Sequence, residues 1–545
     1  MTSVAVLGGG VGGLSAAHEL AVRGFDVTVY EALPSFGGKA RSIDVPGSAQ
    51  GGRGPLPGEH GFRFFPGFYR HLTETMERIP AATGTVADHL VDATRVLLAR
   101  AGQQNELIIP VQAPTTFNDV GVSLQFINDF GLRLGIAPWE VALFAQRLLT
   151  LLSSCDERRF EHWENQSWWE FSLAERLSSK YQNFLADGLT RTLVAARARE
   201  ISARTGGLML CQILFDITRV GGRADRVLDA PTSEVWIDPW VRWLERLGAT
   251  LQPNSEIVGI DCQNGSIAGI SLTIDGNPST VVADYYVAAL PVEDLVPLLT
   301  PSMLVADPRL GRLQRLTTRW MTGAQYFLDR DVPLQRGHTI FIDSEWSLTA
   351  ISQGQFWRDV NLEGRGDGRV DGILSVDISE WDRPSRVTGK TAKQSTREEI
   401  LDEVWRQLTE HIDDGSLQRS NVIDWFLDPA VTPFDPAHPE REPTNSEPLL
   451  INTKGSWNDR PDAATAIENL FLASDFVRTH TDLATMEGAN EAARRAVNGI
   501  LDLTQSTAAR CQIWTLREPP ILAPARKLDR LRWELERPLR ALGIT

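Results

Sequence analysis

Short continuous apolar runs alternate with helical periodicity at both ends of the chain. Residues 4–7 (VAVL) form an apolar run of the kind expected for a strand buried in a parallel sheet. Residues 14–22 carry the spacing of a helix, which Gly24 is placed to cap. Residues 25–30 then give a second strand ending in Glu31. Residues 235–247 (VWIDPWVRWLERL) show helical apolar spacing, and the stretch after Gly248 reads as strand, turn and strand about Asn264-Gly265, a hairpin signal. Residues 283–291 (ADYYVAALP) predict another buried strand, residues 469–473 a short strand ending at Asp475, and residues 486–501 a helix.

Two long stretches separate these pieces. Residues 82–230 are mostly helical, with three- and four-residue apolar spacing in VALFAQRLLTLLSS and FSLAERLSSKYQNFLADGL. Residues from about 305 to 455 alternate strands with polar loops. The layout predicts an α/β protein in which one domain is assembled from residues 1–81, 231–304 and 465–505. A mixed α+β substrate domain then comprises residues 82–230 and 305–464, with a tail over residues 506–545. A chain of 545 residues is too long for one hydrophobic core, which agrees with this division.

The glycines after the first strand change the picture from fold to ligand. Gly8, Gly10 and Gly13 make GxGxxG, with Gly12 inside the motif. The first permits a tight turn, the second close approach of a pyrophosphate, and the third helix–sheet packing, with the helix N-terminus toward the phosphates. Glu31 suits ribose hydroxyls and repels a 2′-phosphate. The motif alone leaves FAD and NAD open. Gly37, Gly38, Lys39 and Arg41 follow, offering a second approach to the same pyrophosphate or a solvated surface turn. Near the C-terminus, Asp475 and the helix start Met486-Glu487-Gly488-Ala489 repeat the logic. Small residues in the first turn leave amides open to a ligand, and such an end stabilises negative charge.

Taken in order, GGGVGG…E, GGKARS, GEHGFRFFPGFY (residues 58–69) and LASDF…ATMEGA resemble the amine-oxidase and phytoene-desaturase superfamily of flavoproteins. The third and fourth motifs are most similar to the plant-type carotenoid desaturases and the hydroxysqualene dehydroxylases. The resemblance implies FAD, a discontinuous Rossmann-like FAD domain of GR2 type, and backbone contact with adenine at Ile257 or Val258. It also places residues 58–69 along the flavin pocket and the substrate tunnel. Four positions depart from the pattern: Lys39 stands where arginine is common, Ser474 where glycine precedes the aspartate, and Glu59 and Arg63 where the desaturases tend to be apolar.

Composition narrows the partners. The net charge, 54 minus 70 or −16, argues against phosphate-mediated binding of nucleic acid. Cys155, Cys211, Cys262 and Cys511 are scattered without CxxC, as expected for core thiols in a reducing compartment, and no metal-ligand spacing is visible. No apolar run reaches spanning length and no basic leader precedes residues 4–7, so a cytoplasmic protein is expected.

Candidate chemistry centres on residues 58–69. His60 has the intrinsic pKa of a general acid or base, or serves as a structural histidine bonding a loop carbonyl. Glu59 is the second proton-transfer candidate, unless it pairs with Arg63 or Arg41. Trp457 lies in the segment before the final FAD strand, and in the resembling enzymes that segment approaches the flavin face. Arg191, Arg197, Arg199 and Arg204 cluster in a predicted helix; they form a solvated face, or Arg191 and Arg204 recognise a substrate anion. In the tail, residues 510–540 hold eight basic and four acidic residues, with Leu528, Leu531 and Leu535 on one helical face near Trp533. It packs on its own protein or on a second subunit of a homodimer, or touches an anionic membrane peripherally. The leading expectation is an FAD-dependent oxidoreductase transferring hydride from a small lipophilic substrate such as an isoprenoid. A flavin amine oxidase is the alternative, followed by a prenyl-binding protein of the Rab GDP-dissociation-inhibitor kind.

Overall fold

The computed structural model describes residues 1–102, 107–110, 127–129, 131–188, 190, 196–219, 222–357 and 359–541. Its first layer is a five-stranded parallel sheet ordered Leu470–Leu472, Tyr285–Ala288, Ser3–Leu7, Asp26–Tyr30 and Thr250–Gln252. The strands come from three separated parts of the sequence. The helices Val11–Ala21 and Met486–Leu503 pack together beside this sheet, and their buried faces are rich in alanine and glycine, which permits close approach. An antiparallel sheet of Ser255–Gln263, Ser266–Ile274 and Asn277–Val281 adjoins it, with Asn264 (φ 51°) and Gly265 (φ 82°) making the hairpin.

The second layer is a seven-stranded sheet. Its order is Val422–Leu427, Thr322–Leu328, Gly372–Ile378, Leu348–Ser352, Thr339–Phe341, Arg95–Ala99 and Leu107–Pro110. Two of these strands come from residues 82–230, which therefore supply more than helices. Helical spacing elsewhere in that stretch hides them because each is only four or five residues long. One face of the sheet is covered by Arg397–His411, whose Leu401, Val404 and Leu408 join a core with Tyr326, Leu348 and Val376. The other face looks toward the helix Ala203–Thr218, with a cavity between them.

The arginine-rich stretch is not one helix: the helix begins only after Ser202, and Ile201 bridges to Thr453 instead. The tail forms the helix Ala523–Ala541 on its own chain. Arg158 holds Asp529 at 3.1 Å and Glu536 at 3.3 Å, and lies 4.4 Å over the ring of the buried Trp533. Leu528, Leu531 and Leu535 stay exposed at 68%, 58% and 80%. No helix among the described residues is long and apolar enough to cross a membrane.

Candidate active site

The fingerprint glycines occupy positions where a larger residue has no room. Gly8, at φ +103°, is the joint where strand becomes helix. A Cβ on Gly12 would fall 2.0 Å from the Ala473 carbonyl oxygen, and one on Gly13 would fall 1.9 Å from that of Gly8. Gly10 differs, since its nearest neighbour would be the Gly38 Cα at 3.7 Å. Space therefore remains between Gly10 and the next loop, beside the start of a helix whose first turn holds no acidic residue. That combination fits the diphosphate of a dinucleotide.

Glu31 is buried at the end of the second strand. Its carboxylate accepts the Gly9 N–H at 2.6 Å and the Leu33 N–H at 2.9 Å. Burial pushes its pKa up, and those two bonds act against the rise. The Glu31 carbonyl accepts the Ser255 N–H at 2.7 Å, which brings the following strand alongside. There Ile257 pairs with Leu272 and Gly259 with Ser271, so Val258 is bulged out of the ladder with its backbone groups unused by that pairing.

The opposite wall of the cradle is the turn at Gly37 (φ +109°) and Gly38 (φ +53°), tied down by a 2.8 Å bond from Gly37 N–H to Gly9 C=O. Both cations beyond it are anchored. Arg41 donates to Gly38 C=O at 2.7 Å and pairs with Glu447 at 2.7 Å, while Lys39 holds Glu293 and the Pro448 carbonyl. At the far end, Thr485 caps the helix Met486–Leu503 by accepting the Gly488 N–H at 3.1 Å. Ala489 lies close to Gly12, Met486 is half-buried, and Asp475 is half-buried with its carbonyl accepting from Arg460. The side chain of Glu487 has a task of its own within the protein. Its carboxylate accepts the backbone N–H groups of Arg70, His71 and Leu72 at 2.8–2.9 Å and His71 Nδ1 at 2.7 Å, capping the helix His71–Glu77.

A cavity of about 350 Å³ lies between the seven-stranded sheet and the helix Ala203–Thr218. The helix contributes Leu210, Ile213, Leu214 and Ile217, one face at helical spacing. The sheet contributes one row across its strands: Ile340 is opposite Thr349, Thr349 opposite Asp377, and Asp377 opposite Gly323. Strand alternation adds His338 and Ile342 beside Ile340, and Ser379 beside Asp377. The remaining wall comes from the two motif-bearing stretches: Phe62, Phe64, Phe68 and Tyr69 from one, and Leu483, Ala484 and Thr485 from the other. The cavity thus abuts the same segments that frame the dinucleotide cradle.

The stretch of residues 58–69 has two faces. Its aromatics line the cavity, whereas its ionisable groups are held by protein. His60 Nδ1 donates to Asp428 at 2.5 Å; burial pushes Asp428 up, but that contact holds its pKa below the usual range. The carbonyl of His60 accepts the Gly323 N–H at 2.6 Å, and a Cβ on Gly323 would fall 2.7 Å from that oxygen. Glu59 accepts the Thr232 N–H at 2.9 Å and the Ser42 hydroxyl at 2.8 Å, and lies 3.7 Å from Arg63. Arg63 donates to the Lys39 and Ala40 carbonyls at 3.0 and 3.3 Å. Glu59 and Arg63 therefore fix the loop around Gly38, and neither they nor His60 border the cavity.

Two expected site residues are placed elsewhere. Trp457 is not on the cavity wall: Arg204 stacks over its ring at 4.6 Å, Arg478 at 5.4 Å and Arg460 at 5.8 Å. Arg204 is buried and bonded to Glu164 at 3.1 Å and Asp482 at 2.5 Å, so its charge is neutralised within the protein rather than offered to a substrate. Arg197 pairs with Glu380, and Arg199 stacks on Trp169 at 3.8 Å and pairs with Glu175. Arg191 lies outside the described residues.

Three ionisable groups that sequence reasoning did not find, Asp225, His338 and Asp377, line the cavity. Asp377 is half-buried on the cavity wall; desolvation raises its pKa to about 6, against the opposing influence of Arg63, His60 and His338. Period-two spacing in residues 338–342 marks His338 as sharing a face with Ile340 and Ile342, but no local signal shows what that face meets.

Such a cradle beside an apolar cavity is the arrangement of a dinucleotide-dependent oxidoreductase. The chain belongs to the flavin containing amine oxidoreductase family, whose model matches residues 11–501, so the enzyme is an FAD-dependent oxidoreductase. A carotenoid phi-ring synthase of Chlorobaculum tepidum is 44% identical over 69 residues, a match spanning 13% of this chain and 10% of that relative. Among solved structures, putrescine oxidase bound to putrescine superimposes with a TM-score of 0.61 at 13% identity, covering 92% of this chain and 99% of that one. An oxidoreductase from Methanosarcina mazei gives 0.59 at 15% identity, covering 92% and 100%. At those identities the structures establish the fold.

Proposed function

We propose that the enzyme oxidises a lipophilic substrate of isoprenoid type at the cavity beside its FAD. The observation that carries this reading is the wall itself, in which aromatic and aliphatic side chains from sheet, helix and loop enclose about 350 Å³ with few polar groups among them. FAD supplies a two-electron acceptor when bound. The chain's part is to hold it: Gly8, Gly10, Gly12 and Gly13 at the pyrophosphate, Glu31 at the ribose, Ile257 and Val258 at the adenine, with Gly38, Lys39, Arg41, Asp475, Met486 and Ala489 closing the cradle. The apolar wall excludes water and orients the chain of the substrate. The carotenoid phi-ring synthase match supports this reading on the side of the substrate class.

An amine substrate is the second reading, favoured by two carboxyl groups on the cavity wall, Asp225 and Asp377, and by the likeness to putrescine oxidase. Equilibrium binding, followed by tryptophan fluorescence, separates the two. A long-chain polyprenoid hydrocarbon is expected to bind, and Ile213→Trp, which fills the cavity, to weaken it at least tenfold without loss of flavin. Binding of diamines alone, abolished by Asp377→Asn, would replace the first reading with the second.

The exposed Leu528, Leu531 and Leu535 on a basic helix extend the proposal to how an insoluble substrate arrives, by peripheral contact with an anionic lipid surface. The protein is expected to co-sediment with anionic vesicles and not neutral ones. Leu531→Asp with Leu535→Asp should abolish this; unchanged sedimentation of that variant would remove the membrane contact from the account.

A further inference from the structure

His338 and Asp225, 113 residues apart, meet at the cavity wall. Asp225 immediately precedes the strand Arg226–Leu228, and His338 the strand Thr339–Phe341. The imidazole Nδ1–H donates to Asp225 Oδ2 at 2.6 Å, and both residues are buried, at 6% and 4% exposure. The ring is clamped by Phe62 at 4.7 Å and edge-on by Phe64 at 5.5 Å, both from the stretch of residues 58–69. With Nδ1 committed to the carboxylate, the lone pair of Nε2 is free, and that atom is buried with no hydrogen-bond partner among the described residues. An unpartnered buried imidazole nitrogen is unfavourable for folding. It becomes useful where a ligand brings the proton.

We propose that His338 is the proton-accepting catalytic residue of the cavity and that Asp225 is the residue that positions it. The proposal rests on reading the cavity as the substrate site. In the oxidation of a CH–CH pair, bound FAD would supply the two-electron acceptor for one hydrogen and its electron pair. The neighbouring hydrogen leaves as a proton to Nε2 of His338, and its C–H electron pair becomes the second bond of the new C=C. The imidazolium so formed is paired with Asp225 and lies near Asp377, whose carboxyl is also influenced by Arg63 and His60. His60 has the same carboxylate partner geometry, with Asp428, but does not border the cavity, so it is the weaker candidate for contact with substrate.

The test uses the flavin-loaded enzyme with His338→Gln, Asp225→Asn and Asp225→Glu. The rate of anaerobic flavin reduction is measured with whichever of a polyprenoid or an amine panel reduces the wild type. His338→Gln is expected to keep its flavin and bind the same compound within a few-fold, yet reduce about a hundredfold or more slowly. Asp225→Asn should lose kcat with little change in KM, and Asp225→Glu should recover part of the loss. A second readout needs no substrate: nitrogen-15 NMR of the imidazole should show the Nδ1–H tautomer in the wild type and its loss in Asp225→Asn. Wild-type reduction rates in His338→Gln, or an Nε2–H tautomer, would overturn the proposal. If neither panel reduces the wild type, the substrate reading fails, and the tautomer measurement still decides the His338–Asp225 arrangement.

Discussion

Asp377 shows how much the surroundings of one residue decide. It stands in a row with Thr349 and Ile340, half-buried, and desolvation holds its pKa at about 6 against an ordinary value of 3.8. The unfolded chain loses this proton near its ordinary pKa and the folded chain only near 6, so between those values the native state binds more protons. Relative to Asp377→Asn, the wild type should therefore lose stability as pH rises from about 4 to about 6 and remain at a constant deficit above that. Denaturant titrations of both proteins across that range check it, and parallel pH profiles would contradict the burial assigned to Asp377. His60 stood out by its motif because that signal is local, but its side chain is held by Asp428 away from the cavity. His338 did not stand out, since its meaning comes from Asp225 and the aromatics of residues 62–64. Trp457 and Arg204 misled for the converse reason: the carboxylates that neutralise the arginines, Glu164 and Asp482, arrive from distant parts of the chain. The four cysteines read correctly as buried thiols, and burial pushes Cys211 and Cys511 up to about 12.

Elements were legible wherever their pattern is self-contained. The first strand, the fingerprint helix, the Asn264-Gly265 hairpin and the helix from Met486 all lie within a few residues of their expected bounds, because period and punctuation agree there. Val258 and the strand Arg95–Ala99 were harder, since a bulge and a short strand at a parallel crossover depend on partners remote in sequence. Two predictions belong at this scale. Gly12→Ala places a methyl carbon 2.0 Å from a backbone oxygen, which the helix Val11–Ala21 can relieve only by moving away from Ala473. Flavin content of the purified variant should fall at least tenfold, and full flavin loading would show that the cradle is looser than described. Glu487→Gln keeps shape but weakens a carboxylate that serves three backbone N–H groups and His71, and should lower stability by about 1–3 kcal/mol. A melting temperature unchanged from wild type would contradict the cap.

At the scale of the whole molecule, one chain passes twice from the parallel sheet to the seven-stranded sheet and back, and the cavity lies against the second of them. That location follows from topology: the seven-stranded sheet presents Ile340, Thr349 and Asp377, the helix Ala203–Thr218 faces them, and residues 62–69 and 483–485 close the space. The resemblance drawn from four short motifs reached the cofactor and the fold, because those motifs are cradle. It says less about substrate, because the cavity is built mainly from the two insertions. The tail helix is part of this assembly through Trp533 and Arg158. Trp533→Ala should undock it, giving faster proteolysis beyond residue 510 with flavin content unchanged; wild-type resistance would mean that other contacts hold the tail.

The central claim is that the apolar cavity delivers a lipophilic substrate to the flavin. The most direct measurement is an anaerobic absorbance titration of the purified flavoprotein with polyprenoid lipids and, separately, with primary and secondary amines. Bleaching of the flavin by the polyprenoids and not by the amines is the predicted result. Bleaching by amines alone would contradict it and assign the cavity, with Asp225 and Asp377, to an amine.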